Sequence, residues 1–344
     1  MPDQKTLRLL LYLATPGNKA TATPDMDLHN TSFLKSVVKL ARANGLLLCV
    51  ANRLEELGIK SPFITDIKLK EEAKQKGYIK TLHLLNQIEK NHGLRYIVIK
   101  LCSSVPHVPR DIDIFLSPAD KPKFSRLLIE NGMKVVYDSV AESSYAGNGH
   151  MELDIYTSII YANKRFFDGD FLWKASVREE KWGNEYDSLQ PYANYPLILI
   201  HSLFGHRVVS LLDFLHLQFL RSSTDLTPSR EYAYRMGWGE VFDIAEEQLE
   251  KMQRQLYTGN KPISFPYLFE TDFVLKCFSM LQGAGQTTSF KPTISLRLSL
   301  LIDKLVHELR KSPFYEPLEK LKFPGRIATN LGLIVRRLRG DRKA

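Results

Sequence analysis

Apolar residues recur at three- and four-residue intervals in Leu7 to Ala14 and through Ser32 to Leu57 ("SFLKSVVKLARANGLLLCVANRLEEL"), which predicts helices packed through one face. Asn30 or Thr31 is placed to cap the second of these. The same period continues from Ile67 to Asn91, and "NHG" at Asn91 to Gly93 supplies a stop. The period then changes. "RYIVIKL" (Arg95 to Leu101) is a compact β-branched run, and "RDIDIFL" (Arg110 to Leu116) alternates polar and apolar residues, the signature of a strand with one face buried. A short helix is expected after Ser117, a possible N-cap, and before Gly132. "MKVVYDS" and "HMELDIYTS" read as two further strands, with Gly147 and Gly149 in the turn between them. Beyond about residue 165 the helical period returns, in Tyr195 to Leu220, Glu231 to Leu256, Tyr267 to Gln282 and Ile294 to Leu309. An island of strands between helical regions gives an α+β class. The expected division is a helical region over 1–93, an α/β core over 94–165, a second helical region over 166–310 and a basic tail over 311–344.

Composition changes this picture little. The chain has 344 residues, 44% hydrophobic and 25% charged, ordinary for a globular protein. Cys49, Cys102 and Cys277 are odd in number and far apart, so neither a disulfide framework nor a zinc site is indicated, and a reducing cytoplasm fits. The N-terminal apolar run is not read as a secretory signal, because Asp3 precedes it and Pro16, Gly17 and Lys19 interrupt it. No later run is expected to span a bilayer, since the most apolar candidate, Pro196 to Leu220, carries Arg207 and Asp213.

Charge is unevenly placed. Residues 320–344 hold eight Lys or Arg against Asp341 alone, and so carry +7 of the net +9. That tail suits nucleic acid or an acidic membrane surface, or it is a docked helix with its basic side in water.

The chemistry lies in "KLCSSVPHVPRDIDIF". Side chains alternate along a strand, so Asp111 and Asp113 share one face while Ile112 and Ile114 point into a core. An Asp-x-Asp pair on an alternating strand is most often a solvated face. The other reading is a divalent cation site, because two carboxylates side by side repel unless a cation lies between them. Asp154, flanked by Leu153 and Ile155, offers a third carboxylate if its strand lies beside the first, and Ser103 and Ser104 offer hydroxyls and N–H groups to phosphate oxygens.

Strand, serine-bearing turn, Asp-x-Asp strand and a third Asp on a later strand together resemble the nucleotidyltransferase superfamily that includes DNA polymerase beta. The order of elements from Leu7 to Leu220 is similar to a nucleotidyltransferase family of about this length, in which a helical region precedes a strand ending in Lys-Gly and an Arg precedes an Asp-Ile-Asp strand. The resemblance implies a small mixed-sheet core and a Mg²⁺- or Mn²⁺-dependent transfer of a nucleoside monophosphate from an NTP to a hydroxyl acceptor: a small molecule, a protein side chain or an RNA end. It implies that Asp111, Asp113 and Asp154 hold the metal ions, that Asp154 helps to deprotonate the acceptor, and that Ser103, Ser104, Lys100 and Arg110 meet the triphosphate. The chain departs from the pattern where the phosphate-approaching glycine gives way to Leu101 or Cys102 and where the spacer is the proline-rich "VPHVP". A catalytically degenerate nucleotide-binding or scaffolding protein on the same fold, attached to nucleic acid or membrane through its tail, is the alternative.

Other constellations point less far. In "HSLFGHRVVSLLDFLH", a spacing of five sets His201 and His206 on different faces of an α-helix, so these and His216 are expected to make polar contacts between helices; Arg207 facing a nucleotide is a minority reading. "LQGAGQTTSFKP" is expected to be a connector, and Asp168, Gly169 and Asp170 a turn.

Overall fold

In the computed structural model, the residues described are 4–15, 30–59, 61–101, 105–161, 164–258, 263 and 265–283. They fall in two compact units, residues 2–269 and a second that begins at Glu270.

Helices α1 (Gln4–Ala14), α2 (Thr31–Ala43), α3 (Leu47–Glu56) and α4 (Pro62–His92) form the N-terminal region. Asn30 caps α2, its side chain accepting from the Phe33 N–H at 3.1 Å. The helix expected over 32–57 breaks in two at Asn44 and Gly45, the latter left-handed at φ +72°. Asn44 uses both ends of its amide there, donating to the Leu40 carbonyl at 2.9 Å and accepting from the Leu211 N–H at 2.8 Å. A distant segment is thus tied to the break. Helix α4 starts on Ser61 and Pro62, ends on left-handed Gly93, and spans 31 residues.

The main sheet has seven strands in the order β3-β4-β5-β2-β1-β9-β8: β1 (Tyr96–Val98), β2 (Asp111–Leu116), β3 (Met133–Asp138), β4 (Glu142–Gly147), β5 (Glu152–Tyr156), β8 (Ser176–Lys181) and β9 (Asn184–Leu189). Strand β2 is parallel to β5 and β1 is parallel to β9; the other pairs are antiparallel. Helix α5 (Lys121–Glu130) lies between β2 and β3, and β6 (Ile159–Tyr161) and β7 (Lys164–Phe167) form a separate pair. Ile112, Ile114, Leu153 and Ile155 on one sheet face join Tyr78, Leu82, Leu85 and Ile88 of α4 and Phe124 and Leu128 of α5 in a single buried cluster. The apolar half of the alternating pattern is therefore covered by two helices, and the aspartates face the other way.

The class is α+β, as the pattern predicts, with corrections in detail. The strand island does not end near residue 165 but runs to Leu189, because β8 and β9 extend the sheet. Strand β4, "ESSYAG", was also not expected. Ser117 does not cap α5; its carbonyl accepts from Asp120 and Lys121 in a turn that precedes the helix. Asp168 is no simple turn residue, since its side chain accepts from the Phe171 N–H and caps α6 (Gly169–Lys174).

The helix expected over 195–220 is α7 (Pro191–Ile200), a π-helical turn (His201–His206), β10 (Val208–Val209) and α8 (Leu211–Ser223). The one expected over 231–256 is α9 (Thr227–Arg235) and α10 (Gly239–Thr258), broken at left-handed Gly237. Strand β11 (Tyr267–Leu268) pairs with β10, and α11 (Thr271–Gly283) belongs to the second unit. The readings made for 294–309, for most of 281–292 and for the basic tail lie outside the described residues. No helix among the described residues is long and apolar enough to cross a membrane.

Candidate active site

The parallel pairing of β2 with β5 sets Asp113 directly opposite Asp154, with Asp111 opposite Glu152. On the other side of β5, Ser144 of β4 lies opposite Asp154. Paired residues point to the same face of a sheet, and Asp111 lies two residues from Asp113, so the three aspartates share the face turned away from the core. All three are partly buried there.

Lys100 completes this surface. The Ile99 N–H still bonds to the Asp113 carbonyl at 2.9 Å, continuing the β1–β2 ladder, but Lys100 then turns left-handed at φ +59°. That conformation is costly for a residue with a Cβ and is characteristic of functional sites. Its effect is to lay the ammonium 2.5 Å from Asp113 Oδ1, 3.5 Å from the Tyr156 hydroxyl and 4.9 Å from the centre of the Tyr156 ring. The pair is well shielded, with side chains 13% and 11% exposed.

Electrostatics mark the site as short of positive charge. Burial, and then the charges of Asp113 and Asp154, push the Asp111 carboxyl up to about 7 against the counter-pull of Lys100. Asp154 is pushed up to about 6, chiefly by burial and by Asp113 and Glu142, with a hydrogen bond from Ser144 acting in the opposite sense. The buried Oδ1 atoms of Asp113 and Asp154 have no hydrogen-bond partner; the first has only the ion pair with Lys100.

This donor set fits a hard divalent cation. Two buried carboxylate oxygens on neighbouring strands in register, Asp154 Oδ1 without a donor and Asp113 Oδ1 held only by Lys100, are the kind of partial cage such an ion accepts when substrate oxygens and water complete its shell. Among the described residues no three His, Cys, Asp or Glu side chains stand together as a ready-made metal cluster. The aspartates are therefore aligned on one face without being closed around a point, and Lys100 occupies the cation position beside Asp113.

The remaining expected site residues divide. Arg110 is exposed at the start of β2, and Ser103 and Ser104 lie outside the described residues. The Leu101 carbonyl accepts from the buried Asn194 side chain at 2.5 Å, which ties Leu101 to α7.

A further group was read wrongly from the sequence. His201 and His206 do not diverge: in a π-helical turn, where hydrogen bonds run from i to i+5, residues five apart lie on the same side, and their Nε2 atoms are 2.9 Å apart. The Tyr161 hydroxyl lies 2.7 Å from His201 Nδ1, extending the chain back to β6. Gly205 permits this packing, since a Cβ there would lie 3.0 Å from His201 Nδ1 and 3.3 Å from the Tyr161 ring. Burial and the nearby charge of Lys100 hold both imidazoles below their usual range. Asp113 and Arg110 also act on His206, so this pair belongs to the surroundings of the aspartates.

No family model matches the sequence, and no curated protein matches it. Solved structures that are similar in part include these two. One is the lincosamide antibiotic adenylyltransferase LnuA bound to lincomycin, at 16% identity over 42% of this chain and 97% of that one, with a TM-score of 0.33. The other is the antibiotic-resistance factor ANT(2'')-Ia in solution, at 11% identity over 53% of this chain and 95% of that one, with a TM-score of 0.29. At these scores the function has to be read from the site's own residues.

Proposed function

We propose that the protein is a metal-dependent nucleotidyltransferase that moves a nucleoside monophosphate from an NTP to a hydroxyl acceptor. The observation that carries this reading is the register of β2 and β5, which sets Asp113 beside Asp154 with Asp111 on the same face, all partly buried, Asp111 and Asp154 with no ion pair among the described residues.

When bound, Mg²⁺ or Mn²⁺ supplies Lewis-acid polarisation of the phosphate and lowers the pKa of the acceptor hydroxyl. Asp111, Asp113 and Asp154 are the residues that would hold it. Lys100 and Arg110 offset triphosphate charge, and Ser103 and Ser104 contact its oxygens. The acceptor oxygen forms a bond to the α-phosphorus, its proton passes to Asp154, and the bond from the α-phosphorus to the bridging oxygen breaks. Pyrophosphate leaves with that electron pair. Asp154, on the strand beside Asp113, is the carboxylate assigned to take that proton.

The test is incubation with labelled NTPs and Mg²⁺ or Mn²⁺, comparing the wild type with Asp111→Ala and Asp113→Ala. Pyrophosphate release or transfer of label should fall at least a hundredfold in both variants. Equal signals in all three proteins would remove the assignment.

The Lys100–Asp113 ion pair favours a second reading, in which the lysine permanently replaces the metal and the protein binds nucleotide without turning it over. That form would bind NTP to the same extent with or without divalent cation and would release no pyrophosphate. In either case the tail over 320–344 is proposed as an attachment to nucleic acid or an acidic membrane.

A further inference from the structure

A second concave site lies on the α4 side of the sheet. It is an open hollow of about 460 Å³ between α4 and the tip of the β8–β9 hairpin. Lys76 and Lys80, four residues apart on α4, form one wall as an exposed cationic pair, with the His83 ring beside them. Among the described residues, no carboxylate pairs with Lys76 or Lys80; the Lys80 ammonium has only the Asn148 carbonyl, at 3.3 Å. Ile79 supplies an apolar patch and Trp182 a planar one.

Trp182 already carries the Lys181 ammonium over one face of its ring, 4.5 Å from the centre. It is left-handed at φ +53°, 38% exposed, and pinned edge-on by the Tyr78 ring at 5.3 Å. Beneath it, Asn184 is 3% exposed and donates through Nδ2 to the Trp182 carbonyl at 3.1 Å, which fixes the orientation of its amide. Its Oδ1 is buried and has no donor. A buried acceptor without a partner forfeits its hydration for no return, and no donor among the described residues answers it. Cationic groups, an aromatic plane and an unanswered acceptor are thus gathered at one cavity.

We infer that this cavity is a binding site for a nucleoside phosphate, separate from the aspartate face: the base stacks on Trp182, a base N–H donates to Asn184 Oδ1, and the phosphate lies on Lys76 and Lys80. The volume suits a ligand of this size. Stacking on an aromatic ring beside lysines that meet phosphate is how single-stranded nucleic acids are held without base preference, and the same chemistry serves a free nucleotide. An outward movement of the exposed indole gives the base access to Oδ1. Tyr78, against which Trp182 packs, belongs to the core cluster on the face opposite the aspartates, so the two sites do not compete for one ligand. The inference does not depend on the transferase reading.

The experiment titrates the full chain with AMP in EDTA, so that divalent cations bring no nucleotide to the aspartates, and follows tryptophan fluorescence and heat of binding. AMP should quench fluorescence and bind more tightly than adenosine or tripolyphosphate, each of which offers half of the chemistry. Lys76→Glu/Lys80→Glu, at exposed positions, should weaken AMP at least tenfold. Trp182→Leu should weaken it and abolish the quench, while Asp111→Ala/Asp113→Ala should change neither. A parallel titration with the single strand r(A)12 identifies the source: binding at least tenfold tighter than AMP, lost in the same variants, assigns a strand, and equal binding assigns a free nucleotide. AMP and r(A)12 affinities unchanged by both the lysine and the tryptophan substitutions would overturn the inference. Loss of pyrophosphate release in the aspartate variants is read separately, so the transferase reading and this one fail independently.

Discussion

At pH 8 the Asp111 carboxylate is ionised in a partly buried position beside two other aspartates, although its proton leaves only near pH 7. In the unfolded chain the same group loses its proton near 3.8. The folded state therefore binds this proton more tightly than the unfolded state, and the contribution to stability is complete below about pH 4 and lost as pH rises toward 7. Asp111→Asn mimics the protonated form and should stabilise the protein at pH 8 by about 2–4 kcal/mol. That gain should shrink steadily as the pH of a urea titration is lowered toward 4. A gain independent of pH would show that Asp111 is not the strained group.

Lys100 makes the complementary case. Lys100→Met leaves Asp113 buried without its cation, a change that costs roughly 3–5 kcal/mol. Millimolar Mg²⁺ or Mn²⁺ should restore much of the lost thermal stability of this variant and do less for the wild type, because the metal takes the place the ammonium holds. Melting curves with and without metal decide this. The Asp-x-Asp face was legible at this scale, because strand alternation alone places Asp111 and Asp113 together. The lysine's position was not, since it depends on a left-handed turn that no residue type at position 100 announces.

Among elements, the π-helical turn was the least legible. A spacing of five fits no face of an α-helix, and the apolar pattern on either side of it, "PLILI" and "VVSLLDFLHL", reads as unbroken helix. Only the observed i to i+5 geometry brings His201 and His206 together. Gly205→Ala puts a methyl against His201, which Tyr161 holds from the other side, and should cost about 1–3 kcal/mol by overpacking. Tyr161→Phe removes the single hydrogen bond and should cost about 1 kcal/mol. Both are measured by denaturant unfolding, and a Gly205→Ala variant as stable as the wild type would mean that the turn is looser than its packing indicates.

Strands β4 and β8 were missed for a different reason. "ESSYAG" turns Ser143 and Tyr145 inward in place of aliphatic residues, and "SVREEK" is an edge strand whose charges protect it from pairing with other chains. Neither displays the alternation that identifies β2. Long α4 was readable because its apolar residues cover one side over 31 residues and its stop is a glycine.

For the whole molecule, charge is the property read most directly from the sequence, and it sets the last prediction. The tail over 320–344 holds most of the net +9. If it meets nucleic acid, neutralising its eight basic residues to Gln in the full chain should flatten the dependence of log affinity on log salt, by up to about 0.7 for each phosphate of a single strand that the tail had neutralised. An unchanged slope would assign phosphate binding to residues outside the tail, and the α4 site would then be the surface to mutate.

By itself the sequence determined the helical flanks, the buried run before residue 100, the shared face of Asp111 and Asp113 and the basic tail. These follow from local periodicity, in which each side chain's direction is fixed by its own element. Tertiary structure alone decided that β5 pairs in parallel with β2 so that Asp154 faces Asp113, that Lys100 reaches across to them, and that Asn184 is buried beneath Trp182 without a donor. Those relations join segments tens of residues apart, and their distances are set by register, by strand order and by the packing of α4 on the sheet, none of which a linear pattern contains.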